Sequence, residues 1–129
     1  MIIHPREGIS GCVLLFLSVA LGAFAAHGLE KTLEPRSLQI FRTAVDYQTM
    51  HAFGLLYLSV TGKALGSRLR GGIFGLFIAG IILFSGSLYA LALMPQYGWL
   101  GAITPLGGLC FLAAWAALAV GLFRLKAEP

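Results

Sequence analysis

Charged side chains are scarce in this chain: nine Lys and Arg and five Asp and Glu among 129 residues, or 11%. A soluble domain carries roughly a quarter, because its surface has to be hydrated, so an ordinary soluble fold is excluded. Cysteine is nearly absent as well. Cys12 and Cys110 both lie inside apolar runs, where they read as small buried hydrophobes rather than as a disulfide framework. There is no Gly-rich phosphate loop, no His-Glu-x-x-His and no nucleophile elbow. No catalytic residue and no cofactor is expected. The net charge is +4, yet the basic residues form neither a helix face nor an aromatic platform, so nucleic acid is not an expected partner.

What the chain does contain is apolar length. It is 58% hydrophobic with a mean hydropathy of +0.87, and its 17 glycines follow no collagen-like period. Four apolar stretches cover residues 9–26, 43–61, 71–94 and 100–123. A spanning helix needs about 20 residues at 1.5 Å each, so four spans leave no room for a second domain. The expected fold is all-α: a polytopic membrane protein, a compact four-transmembrane-helix bundle, with residues 1–129 as one membrane domain. Residues 28–42 mix Leu29, Leu33, Leu38, Ile40 and Phe41 with Glu30, Lys31, Glu34, Arg36 and Arg42. This segment is expected at the interface as one or two short helical turns, with Pro35 at a helix start or turn. Tyr97 and Trp99 in the last loop suit the headgroup level.

Basic residues set the orientation. Arg6, Lys63, Arg68, Arg70, Arg124 and Lys126 share one side of a four-span protein, whereas Lys31, Arg36 and Arg42 on the other are offset by Glu30, Glu34 and Asp46. Positive charge is retained in the cytoplasm, so a multi-pass protein of the bacterial inner membrane with both termini cytoplasmic is expected. Ala23-Phe-Ala25 after the first apolar run has the form of a signal-peptidase site. Against cleavage, that run is long for a signal segment, and Ser18, Gly22 and Ala26 form a small-residue stripe suited to helix packing. Further stripes, Gly71-Gly75-Ala79 and Ala113-Ala117-Gly121, are read as internal packing, with an oligomer interface as the alternative. Thr104-Pro105 either kinks the fourth span or forms its first turn.

Polar residues within the spans collect toward the outer side. His27 closes the first span, and Asp46, Tyr47, Gln48 and His51 enter the second; Ser85, Ser87 and Tyr89 lie on the third and Thr104 on the fourth. The inner half offers Ser18, Ser59 and Thr61, whose hydroxyls can bond within their own helix. Tyr47 and Gln48 share a face with His51, while Asp46 points elsewhere, toward Arg42 or a neighbouring helix. Ionisable groups in hydrocarbon are costly and point to function. A structural role for these residues stands beside a proton, ion or small-ligand site built on His27, Asp46, Gln48 and His51. A metal site lacks close ligand spacing, and none is expected.

Four motifs in order, Gly22-Ala-Phe-Ala-Ala-His-Gly-Leu29, Phe41-Arg-Thr-Ala-Val-Asp-Tyr-Gln-Thr-Met-His51, Leu83-Phe-Ser-Gly-Ser-Leu-Tyr89 and Leu100-Gly-Ala-Ile-Thr-Pro-Leu-Gly-Gly108, resemble the signatures of the YgdD-like family of small bacterial inner-membrane proteins, a relative of eukaryotic transmembrane protein 256. The resemblance implies an intact first span and characteristic residues at His27, Gly28, Tyr47, Gln48, His51, Ser85, Gly86, Ser87, Tyr89, Thr104 and Pro105. Ala26 departs from a frequent Gly but stays small. No activity is established for the family, so the resemblance carries no catalytic roles. The expected function is that of a structural or accessory inner-membrane component, with membrane lipids and either a second copy or another membrane protein as partners. The alternatives are an oligomeric transporter or channel for protons or a small solute, and a membrane enzyme acting on a lipid or quinone.

Overall fold

Proline sets where the first two long helices begin. In the computed structural model, which describes residues 3–127, Pro5 opens α1 (Pro5–His27) and Pro35 opens α2 (Pro35–Thr61). In a first helical turn the missing amide costs no hydrogen bond, and the fixed φ suits the helix. Glu34, the residue before Pro35, is extended at φ −62°, ψ 152°, as its steric clash with the proline ring demands. A single 3₁₀ turn, Leu29–Lys31, links the two helices.

The second helix therefore starts eight residues before its apolar stretch, and residues 35–42 are its first turns rather than separate ones. Tertiary burial explains the extension. Leu38 and Phe41 pack with Ala25, Leu29 and Ala92, while Arg36 and Arg42 remain exposed.

Gly66, at φ 77°, turns the chain into the third span, a conformation that side chains disfavour. That span has three pieces: α3 (Ser67–Gly80), a π-helical stretch Ile81–Gly86, and α4 (Ser87–Leu93). After a 3₁₀ turn at Gly98–Ala102 comes α5 (Thr104–Ala127), with Pro105 in its first turn.

The spans alternate in direction. Gly11 of α1 meets Ala52 and Leu56 of α2, and Gly22 meets Val45. Gly54 of α2 faces Phe77, and Ala44 faces Ser85. Gly80 lies against Phe111, Gly107 against Phe84, and Gly121 against Leu65 and Leu69. All three registers are antiparallel.

Three segments, Pro5–Lys31, Ser67–Leu93 and Gly98–Lys126, are long and apolar enough to cross a membrane, and α2 is the fourth helix beside them. The most polar of the four is the one most enclosed. Lipid favours apolar groups outside, so Phe16, Val19, Leu112 and Phe123 are exposed while Gln48, His51 and Ser59 of α2 are buried.

Two expectations about small residues are corrected. Cys12 is exposed and Cys110 half-buried, because both lie off the packed seams of their helices. Gly71 and Gly75 do not pack inside the bundle: a Cβ on either would meet nothing within 4 Å. α3 buries Ile73, Phe77 and Gly80 instead, which turns the stripe outward.

A Cβ on Gly107 would come within 2.8 Å of the Phe84 Cα, an approach that neither backbone can yield cheaply. Gly107→Ala should destabilise the bundle by about 1–3 kcal/mol, whereas Gly75→Ala should be close to neutral; denaturant unfolding in detergent checks the contrast.

Candidate functional site

The polar layer is organised by one amide. Gln48, 4% exposed, projects from the middle of α2 toward α1 and α4. Its Nε2 donates to the Leu14 carbonyl at 3.0 Å and to the Ser18 hydroxyl at 3.1 Å. Its Oε1 accepts from the Tyr89 hydroxyl at 3.0 Å. Ser18 in turn donates to the Leu14 carbonyl at 2.9 Å. Three helices thus meet on a single side chain, and both of its donor hydrogens and its oxygen have partners.

Neighbouring hydroxyls tie in the remaining span. Ser85, in the π-helical stretch, donates to the Ala44 carbonyl of α2 at 2.7 Å. Ser87 donates to the Phe84 carbonyl at 2.9 Å. Its only proton being committed there, the 2.6 Å contact with Thr104 has the Thr104 hydroxyl donating, and it joins α4 to α5. Among the described residues, no buried side-chain nitrogen or oxygen lacks a partner.

His51 lies apart from this network. Gln48 and His51 are three residues apart, yet Gln48 reaches α1 and α4 while His51 turns to α5. Its ring stacks on Phe111 with centroids 3.4 Å apart and planes within 6°. Nδ1 lies 2.6 Å from the Tyr47 carbonyl; a carbonyl only accepts, so Nδ1 carries the proton. Tyr47 stacks on Phe84 at 4.2 Å, and the two stacks run side by side.

His27 and Asp46 do not converge with the rest. Both are exposed. Among the described residues the ion pairs within 4 Å are those of Glu7, so Asp46 pairs with neither Arg42 nor His27. Helix geometry explains this: Asp46 lies about 200° around α2 from Gln48, on an exposed face. No three His, Cys, Asp or Glu among the described residues are grouped to hold a metal ion.

Two residues of consequence fell outside the sequence-based set. Ser18 looked like a hydroxyl bonded within its own helix; it does bond there, but it also accepts from Gln48. Glu7, only 2% exposed, anchors the opposite end of the bundle. Its Oε1 accepts from Arg6 at 3.0 Å and from Arg70 of α3 at 3.2 Å. Arg70 also donates to His4 Nε2 at 3.2 Å, and the His4 amide bonds the Ser59 carbonyl at 3.0 Å. The Arg6 guanidinium lies 4.2 Å over the Phe74 ring. A signal existed in the spacing. Glu7, Gly11, Ser18 and Ala25 are the buried residues of α1, and intervals of four, seven and seven mark one seam of a left-handed helix pair.

A family described as "Protein of unknown function (DUF423)" matches residues 21–108. The UPF0382 membrane protein YwdK of Bacillus subtilis is 44% identical over 119 residues, 90% of this chain and 94% of that protein. The UPF0382 inner membrane protein YgdD of Escherichia coli K12 is 43% identical over 114 residues, 86% and 84% of the two chains. A third UPF0382 membrane protein, SH2409 of Staphylococcus haemolyticus, is 41% identical over 116 residues, 90% and 93%. No solved structure matches the chain.

The network gives a measurable coupling. Interhelical hydrogen bonds in membranes couple by about 0.6 kcal/mol on average and at most about 1.7. A double-mutant cycle of Gln48→Leu with Tyr89→Phe, read by unfolding in detergent, should fall in that range, with additive effects contradicting the bond.

Proposed function

The chain belongs to the DUF423 family of proteins of unknown function, with membrane proteins as its relatives, and on that premise we propose that it is a non-catalytic accessory component of the bacterial inner membrane. One observation carries this reading. The Gln48 amide, the best-placed polar group inside the spans, is closed on Leu14, Ser18 and Tyr89. A conducting path needs polar groups that exchange partners along its length; here they are committed to neighbouring helices. The candidate residues then have separate roles. Gln48, Ser85, Ser87, Tyr89 and Thr104 hold helices together, Tyr47 and His51 build an aromatic wall, and His27 and Asp46 face the outer boundary.

The same reading makes residues 1–129 one membrane domain with both termini in the cytoplasm. Arg6, Arg68, Arg70 and Arg124 gather at the end where α1 and α3 begin and α5 finishes, the charge asymmetry that retains such an end inside. Surrounding lipids are its first partners. The outward glycines Gly71, Gly72 and Gly75, each with open space where a Cβ would stand, leave room for close approach of a helix from a second copy or another membrane protein.

Liposomes containing the protein and loaded with a pH-sensitive dye test the reading. Proton flux should equal that of protein-free vesicles, and His51→Ala should not alter it. Flux that is abolished by His51→Ala would establish a transporter and overturn the proposal.

A further inference from the structure

A cleft of about 520 Å³ opens on the lipid-facing side of the bundle between α2, the π-helical stretch and α5. Its walls include Tyr47, His51, Phe84, Phe111 and Trp115, with Gly108 on the α5 side. The volume falls within the range of small-molecule sites, about 300–1,000 Å³. Most of the lining is what lipid chains also accept. One group is not.

His51 is 3% exposed, and its Nδ1–H is committed to the Tyr47 carbonyl. Neutral imidazole then has a lone pair on Nε2 that no described residue bonds, and because no fully buried polar atom among them lacks a partner, this nitrogen is open at the cleft wall. His51 lies 16 residues after Pro35 and ten before Thr61 in α2, about 24 Å and 15 Å from the two ends at 1.5 Å per residue. That depth is in the hydrocarbon, where water and phospholipid headgroups are excluded and an unpaired acceptor is costly. Its complement must be soluble in the membrane interior and carry a hydrogen-bond donor.

Shape narrows the class further. The Tyr47–Phe84 and His51–Phe111 pairs are both stacked, with interplanar angles of 23° and 6°, and Tyr47 is itself within 27° of the Phe111 plane. Trp115, one turn along α5 from Phe111, has its ring 6.1 Å from that of His51 at 51°. Aligned ring edges beside an indole along the same wall favour a flat ring by offset or edge contacts. A helix of a partner protein would present a rounded surface to these walls.

We propose that this cleft binds a hydroxylated aromatic lipid of the quinol type, whose ring lies against the aromatic walls and whose hydroxyl donates to His51 Nε2. Its apolar tail runs out between α2 and α5 into the bilayer. Binding alone is assigned here, without electron or proton transfer. The site accounts for a buried polar side chain at the cleft wall that the Gln48 network does not use.

Fluorescence of Trp115 reads occupancy directly. The chain has two tryptophans, and Trp99→Phe in the loop leaves Trp115 as the reporter. Purified protein in detergent is titrated, without oxygen, with decylhydroquinone and with its dimethyl ether, which has the same ring and tail but no hydroxyl. Quenching by the hydroquinone should saturate, and the ether should bind roughly five- to tenfold more weakly, the ratio one hydrogen bond supplies. His51→Phe keeps a ring on Phe111 and should erase that difference. Gly108→Leu should weaken both ligands by filling the cleft; a Cβ there makes only ordinary contact with the Phe84 ring, at 3.9 Å, and circular dichroism of the variant checks that it folds. Linear quenching that is equal for the two compounds would show mere partition into the micelle and overturn the proposal. So would a hydroxyl preference that survives His51→Phe, or a membrane protein that co-purifies stoichiometrically and shields Trp115.

Discussion

A carboxamide buried among apolar helices has to find partners for two hydrogens and one oxygen, and Gln48 finds them on two different helices. The rest of the bundle is arranged so that it can. α1 offers small residues along its seam, Gly11 and Ser18, so that α2 approaches closely enough for the amide to reach the Leu14 carbonyl and the Ser18 hydroxyl. α4 supplies Tyr89, whose ring is held 4.9 Å from Phe41 and whose hydroxyl meets Gln48 from the other side. Each bond contributes modestly in a membrane, because an unfolded helix in lipid also finds partners. What three together fix is register. Sliding α2 by one residue would move Gln48 by 1.5 Å and rotate it by about 100°, and all three bonds would be lost.

The opposite end is fixed by charge. Glu7 between Arg6 and Arg70 joins the start of α1 to the start of α3, and the His4 amide joins the same turn to the end of α2 through Ser59. A carboxylate this buried is tolerated only with cations and donors in place. Its location close to a helix end, rather than in mid-span, keeps the desolvation cost within what two guanidinium groups offset. The Arg70 side chain crosses directly over Gly62, where any Cβ would collide with it. Together the two fastenings account for the enclosure of α2, the polar helix, by three apolar ones.

Spans were legible because membrane thickness turns length and hydropathy into architecture with few alternatives. The start of α2 was not, since Arg36 and Arg42 depress local hydropathy and only the packing of Leu38 and Phe41 carries the helix past them. Of the polar residues, Gln48, Tyr89, Ser85, Ser87 and Thr104 were visible as intramembrane polar groups; how they pair depends on which helices are neighbours. His27 and Asp46 carry the same chemistry in sequence but lie on outward faces. Position along α1 alone puts Ser18 in the inner half, although it stands level with Gln48. Small-residue stripes were the least informative. Spacing of four marks a face without saying whether another helix lies against it, and Gly71 and Gly75 face outward while Gly11, at no less ordinary a spacing, is closed against Leu56.

Hydrogen exchange at the Gln48 side chain tests the central claim most directly. With the amide selectively labelled in the protein in nanodiscs, its two NH₂ resonances should be distinct and protected from exchange over hours, because both hydrogens are bonded inside the bundle. Rapid exchange, with resonances like those of a solvent-exposed glutamine, would show that water reaches the polar layer and would contradict the account.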